Sequence, residues 1–403
     1  MSSTAQQMRA WTGPALLTYG FRPFFLGAGV WAVIAMLIWL ALLSGQIALE
    51  TAFDPVSWHA HEFLFGYLTA VVAGFLLTAV PNWTGRLPIV GWPLAGLFAL
   101  WVAGRVALTL PGTLSPFLIA LIDLAMPFTL SLVLAREIIA GKNWRNLIVL
   151  AMLAVLMLGN AVFHWEAAQG EYAAQGYGLR IGLGAGVMMI AVIGGRVVPS
   201  FTRSWLVKQK ADQLPSPPMQ RFDKISLLAL LIALLTWVAT PASLLTAACL
   251  AVAGLLHVMR VFRWAGVHTR AEPLVSVLHI AYLMLPLGAL GLAAEIAFRE
   301  MSGLGAVQHI WMGGAIGLMT LAVMTRATLG HTGQALHAGT GTVLIYAAVV
   351  IAVLLRVAAG VFVTKATVLF GAAAIFWIAS FAGFVGIYGP LLLRSKPVGK
   401  GQA

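Results

Sequence analysis

Cys249 is the sole cysteine of this chain, and it lies within an apolar stretch. An internal disulfide and a cysteine-ligated metal site are therefore excluded. Charge is also scarce: Asp, Glu, Lys and Arg make up 9% of the residues against 61% hydrophobic, and mean hydropathy is +0.95. That balance excludes an ordinary soluble domain. Acidic residues are scarcer than basic ones, 12 against 24, which leaves a net charge of +12. Such a surplus could indicate a nucleic-acid partner, but its distribution, described below, speaks for a membrane and against nucleic acid. No cleavable signal peptide is legible: residues 1–20 are mixed and polar, and the apolar run that follows is too long for a signal h-region.

Hydrophobic runs fill most of the chain, near 24–43, 58–80, 92–108, 116–136, 145–168, 179–199, 225–240, 242–263, 274–297, 305–325, 339–361 and 366–393. A spanning helix needs about 20 apolar residues. The expectation is an all-α, polytopic membrane bundle of about twelve spans, forming a single integral domain over residues 1–403. Run 225–240 is short, and its separation from the next rests on Thr240-Pro241. The 42 glycines suit close helix approach in lipid, and several of the 14 tryptophans fall near segment ends, as in interfacial belts. With the N-terminus inside, Arg105, Arg180, Arg299, Arg356 and Lys365 are the basic residues assigned to the outer side, and all others fall to the inner side. This bias places both termini in the cytoplasm. The basic stretch 200–224, with Pro215, Pro217 and Pro218, reads as a mobile cytoplasmic linker facing anionic membrane lipids.

A weak echo recurs every four spans. Val80-Pro81-Asn82-Trp83-Thr84 is followed by Arg86, Val198-Pro199-Ser200-Phe201-Thr202 by Arg203, and Val323-Met324-Thr325 by Arg326. It suggests a threefold repeat of four helices, over 1–143, 144–265 and 266–403.

Ionisable residues at lipid depth are costly and usually mark a cofactor, substrate path or proton path. The nine histidines concentrate at the span ends. On the outer side, Trp58-His59-Ala60-His61-Glu62 opens the second span, Asn160, His164 and Glu166 close the fifth, and His309 opens the tenth. His59 and His61 lie about 200° apart on a regular helix, so they cannot serve one metal from it. His59 and Glu62 share a face, which allows a carboxylate–imidazole pair. Arg105 and Asp123 belong to successive spans and can pair; a second reading gives the arginine to an anion and Asp123 to proton movement. Four imidazoles near one face suit copper or iron, and axial ligation of haem is equally compatible. On the inner side, His279 and His331 form a second candidate site, with His257 nearer a basic edge. Arg22, Arg86, Arg196 and Arg326 should lie at the same level. Gly330 is expected to let His331 turn toward the bundle.

Several blocks taken in order resemble the NnrS family of integral membrane proteins. They are Gly20-Phe21-Arg22-Pro23-Phe24-Phe25, the Trp58–Glu62 block leading to Phe65-Gly66, residues 75–86, residues 195–202, and His309 through Arg326 to Leu329-Gly330-His331-Thr332-Gly333. The resemblance implies a bacterial inner-membrane protein that contains haem and copper and is associated with nitric oxide metabolism, denitrification and nitrosative stress. On that reading nitric oxide is the partner, and an oxidoreductase acting on it is one version. No site for an electron donor is legible. A secondary transporter is the competing class, since twelve spans with an internal repeat are common there. Its polar site would sit at the midplane, where this sequence is nearly bare. A metal or haem chaperone without catalysis is the third class.

Overall fold

The computed structural model describes residues 11–85, 88–110, 112, 114–298 and 305–394. Twelve helical rods follow one another. They are α1 (Phe21–Leu43), α2 (Pro55–His61, Glu62–Tyr67 and Leu68–Thr84, end to end), α3 (Trp92–Ala107), α4 (Pro116–Ala140), α5 (Leu147–Ala168) and α6 (Tyr177–Met189, Ile190–Gly194 and Gly195–Lys208, end to end). The remainder are α7 (Arg221–Ala239), α8 (Leu244–Phe262), α9 (Pro273–Ala297), α10 (Ile310–Leu318 and Met319–Thr332, end to end), α11 (Thr340–Val361) and α12 (Ala366–Leu393). Eleven are long and apolar enough to cross a membrane; α3 is the shorter one. The short seventh run is a full helix because Gln220 and Asp223 form a reciprocal capping box that starts it at Arg221. The expected mobile linker over 200–224 is shorter than anticipated. α6 continues to Lys208, and the loop beyond is tied to the α8–α9 connection by Ser216 N–H to Arg263 C=O (3.0 Å) and by Gln213 to His268 (2.9 Å).

α2, α6 and α10 are the most buried of the long helices and touch one another at the centre of the bundle. The other nine surround them, and α12 closes the ring by packing on α1. All three central helices widen into a π-helical segment: Glu62–Tyr67, Ile190–Gly194 and Ile310–Leu318. Such wide turns recur at functional sites and loosen the helix's own hydrogen bonding. Here the loosened carbonyls are used. Gly66 C=O accepts from the Trp101 indole (2.9 Å), and Ala191 C=O accepts from Arg260 (3.0 Å).

Candidate functional site

Two clusters of ionisable side chains are buried at opposite ends of the bundle. The first is built on the π segment of α2, about two turns from the start of that helix. Glu62 and His61 stand at its start, and both are almost fully buried. Arg105, on α3, lies over Gly66, where any Cβ would collide with the guanidinium and with Glu62. Its Nη1 donates to both oxygens of Glu62 (2.6 Å each), and its Nη2 donates to Asp123 on α4. The anticipated pairing of Arg105 with Asp123 therefore forms and extends to Glu62.

The second oxygen of Asp123 is the meeting point of α2 and α5. It accepts from Asn160 Nδ2 (2.7 Å), and His164 Nε2 and His61 Nε2 stand 3.2 and 3.3 Å from it. The two imidazole centroids are 4.9 Å apart. His61 also places Nδ1 3.0 Å from Glu62 Oε1 and Nε2 2.9 Å from Asn160 Oδ1. Both ring nitrogens thus face acceptors, which the doubly protonated ring satisfies. Among the described residues, His61, Asp123 and His164 offer ligand atoms all within 4.8 Å of one another. Phe53, Phe65 and Phe163 close around His61, with ring centroids 4.9, 5.2 and 5.6 Å away. A shallow pocket lined by Thr51, Phe53, Pro116 and His164 reaches this cluster from the end of the bundle.

The four histidines expected together on this side divide into two groups. His59 faces away from His61, stacks on Trp39 at 4.5 Å, and lies within electrostatic reach of Arg356. His309 donates from Nδ1 to Gly305 C=O (2.9 Å) and is within electrostatic reach of His59 and Arg356. The anticipated His59–Glu62 pair does not form, because Glu62 is taken by His61 and Arg105. Glu166 is not beside the imidazoles either. Its two oxygens accept from Tyr177 N–H (2.6 Å) and Gly178 N–H (3.0 Å), so it caps the start of α6.

At the opposite end, Arg260 of α8 is fully buried. It donates from Nε to Asp223 Oδ1 (2.8 Å) and from Nη1 to the Tyr282 hydroxyl (2.6 Å) and Ala191 C=O (3.0 Å). A Cβ on Gly195 would collide with this guanidinium, as one on Gly66 would with Arg105. His257 is fully buried as well, not at a wet edge as expected. Its nitrogens pair with Tyr282 Oη and Ser226 C=O, 3.1 Å each.

The proposed partners His279 and His331 meet different neighbours among the described residues. His279 Nε2 pairs with Thr202 Oγ1 (2.7 Å), and its ring meets Trp264. His331 packs against Tyr19 and Phe21. It stays on the helix of α10, because the left-handed turn falls at Gly333 and not at Gly330. The described arginines of that set, Arg22, Arg196 and Arg326, do not converge. Arg22 donates to the carbonyls of Leu392 (2.9 Å) and Arg394 (2.7 Å) and so caps α12. Arg326 lies 4.1 Å over the Phe201 ring, and Arg196 is exposed. Arg86 lies outside the described residues. The Arg260, Asp223 and Tyr282 group went unassigned in the sequence. Its available signal was an arginine near the end of one apolar helix and an aspartate in the first turn of the helix before it.

The fold and these clusters define a polytopic membrane protein with a buried histidine–carboxylate group at one end. The model of the NnrS protein family matches residues 15–396, nearly the whole chain. The chain belongs to the NnrS family, and that membership supports an association with nitric oxide-related function. No curated protein sequence matches it.

Proposed function

We propose that the His61–Asp123–His164 group holds a transition-metal ion, copper being the one the family resemblance implies, and that the protein handles nitric oxide there. The observation that carries this reading is charge. Glu62 and Asp123 bring two buried carboxylates to one buried arginine, Arg105. A buried charge without a partner is strongly disfavoured, so the group calls for one more positive charge, supplied by a proton on His61 or by a metal ion in its place.

The donor chemistry fits an ion. Imidazole with carboxylate serves copper, iron and zinc. The 3.2 and 3.3 Å spacings of Asp123 Oδ2 from the two Nε2 atoms match the edge of a tetrahedron with bonds of about 2.0–2.1 Å. Glu62 would hold the His61 ring through Nδ1 and leave Nε2 for the metal. Arg105 would keep both carboxylates in place, and Asn160 would orient Asp123. A haem is less well supported at this pair, because the Nε2 atoms through which its iron would bind both face Asp123 Oδ2 and three phenylalanine rings crowd His61. When bound, a reduced copper ion supplies a coordination position for nitric oxide, an apolar gas that reaches a buried site through lipid.

His309 is a further ligand candidate, with His59 beside it, because its Nδ1 bond to Gly305 C=O fixes the ring as such bonds fix metal-ligating histidines. Transport of a polar solute is less well supported, since the space between α2, α6 and α10 is lined by apolar side chains. The recurrence of a buried π segment on every fourth helix supports three four-helix units. We further expect a bacterial inner-membrane location with both termini cytoplasmic; a reporter fused after residue 212 should read cytoplasmic.

The test is metal analysis of purified protein, with spectra before and after nitric oxide is added to the reduced form. We expect copper in the wild type, its loss in His61→Ala and in Asp123→Asn, and a spectral shift with the gas. Full copper content in both variants would overturn the assignment.

A further inference from the structure

Below the His61 cluster the three central helices do not close completely. They leave a cavity of about 70 Å³, lined by Leu68, Val71, Met189, Ile193, Met319 and Thr320 among others. Its single hydroxyl, on Thr320, is already committed to Ile316 C=O (2.7 Å) and Tyr67 Oη (2.8 Å). A buried water needs two to four polar partners, so this void is dry. Its size narrows the occupant further. It exceeds the roughly 10–15 Å³ that one water needs and is about half the roughly 150 Å³ of an apolar cavity that admits benzene. That range suits an apolar molecule of two or three atoms. Val72, Phe75, Ile193, Val197 and Val323 on its wall are only half-buried, so the void reaches the flank of the bundle.

The cavity also lies close to the cluster along α2. Leu68 stands roughly 10 Å along α2 from His61. Between them lies a single layer, Leu64 and Phe65, packed against Gly182, where a Cβ would meet both side chains. Phe65 in turn touches His61, ring centroid to ring centroid 5.2 Å. Leu64 and Phe65 therefore stand between the dry void and the candidate ligand.

We propose that this cavity binds a small apolar gas, of the size and polarity of nitric oxide, and passes it from the lipid flank past Phe65 to the His61 cluster. The delivery step rests on the reading of that cluster as a nitric oxide site; the gas site does not. The experiment uses the full chain in lipid nanodiscs, with xenon as the probe, followed by 129Xe saturation-transfer NMR. The variant is Val71→Phe, which places a ring in the void, and Leu121→Phe on the exposed face of α4 is the control. Met189→Phe serves if Val71→Phe does not fold. We expect saturable xenon binding in wild type and control, weakened about tenfold or more in the filled variant. Copper content should be the same in all three. Nitric oxide should reach the metal about tenfold more slowly in the filled variant in stopped-flow traces. Xenon binding that is undetectable in the wild type, or equal in the filled variant, overturns the gas site. Loss of xenon with an unchanged nitric oxide rate overturns delivery to the cluster. Copper-free protein that still binds xenon would fail the metal reading and leave the gas site supported.

Discussion

The two buried arginines make the most informative comparison in the molecule. Arg105 and Arg260 both lie over a glycine of a central helix, at or beside a π-helical segment, and both bind an aspartate from a neighbouring helix. Histidine belongs to each group, His61 and His164 to the first and His257 to the second. The resemblance ends with the charge count. Asp223 balances the charge of Arg260, and His257 spends both nitrogens on a hydroxyl and a backbone carbonyl, so that group is charge-balanced although Arg260 Nη2 has no partner. Around Arg105 there are two carboxylates and two imidazoles, so that end is one positive charge short. Histidines alone do not distinguish a ligand site from a structural one here. The surplus carboxylate does.

The largest expected effects come from removing one aspartate at each end. Asp223→Asn strands a fully buried Arg260 and should cost about 3–5 kcal/mol of stability, leaving metal content unchanged in whatever folds. Asp123→Asn still leaves Glu62 to balance Arg105. It should lose metal with a much smaller shift in melting temperature. Equal destabilisation by the two, with metal unaffected by either, would erase the distinction between the ends.

Glu62→Gln sharpens the point, because it alters no proposed ligand. It keeps an oxygen for His61 but removes the surplus charge, and metal affinity should fall about 10–100-fold. Tyr282→Phe removes a neutral partner at the other end, costs about 1–3 kcal/mol, and should leave metal content unchanged. Titration gives an independent check. A metal and a proton compete for His61, so lowering pH favours the doubly protonated ring and expels the metal. Apparent affinity should fall about tenfold per pH unit where one proton is displaced. A flat profile from pH 8 to 5 would remove His61 from the ligand set.

Some of this was legible in the sequence for clear physical reasons. The length of the apolar runs located all twelve helices, since lipid forces whole spans to be apolar. The two-residue spacing of His59 and His61 implied that they face apart, and they do: one ring stacks on Trp39, the other meets His164. What was not legible depends on tertiary neighbours. No periodicity marks a π segment, so Glu62 could not be assigned to His61 and Arg105 instead of His59. Arg22 spends its side chain on carbonyls at the far end of the chain, where it caps α12. Asp223 and Arg260 lie on different helices, and nothing local links them. Glu166 was grouped with His164 because the two are close in sequence, although their side chains serve different helices.

That last separation gives the smallest effect and a sensitive boundary for the site. Glu166 ends α5 and holds the first N–H groups of α6 across the intervening loop, with both carboxylate oxygens engaged. A cap of this kind at a helix N-terminus is worth about 0.5–2 kcal/mol, part of it from the helix dipole. Glu166→Gln keeps one acceptor and loses the charge, so it should fall at the low end of that range; Glu166→Ala should fall higher. His164 sits just two residues earlier on α5, but its ring is held by Asp123 and Phe53 and not by the cap. Copper content in Glu166→Ala should therefore equal wild type at a temperature where both are folded. A drop in copper there, with Tyr282→Phe unaffected, would mean that the end of α5 positions His164, and the site would extend one helical turn beyond Asp123 and the two imidazoles.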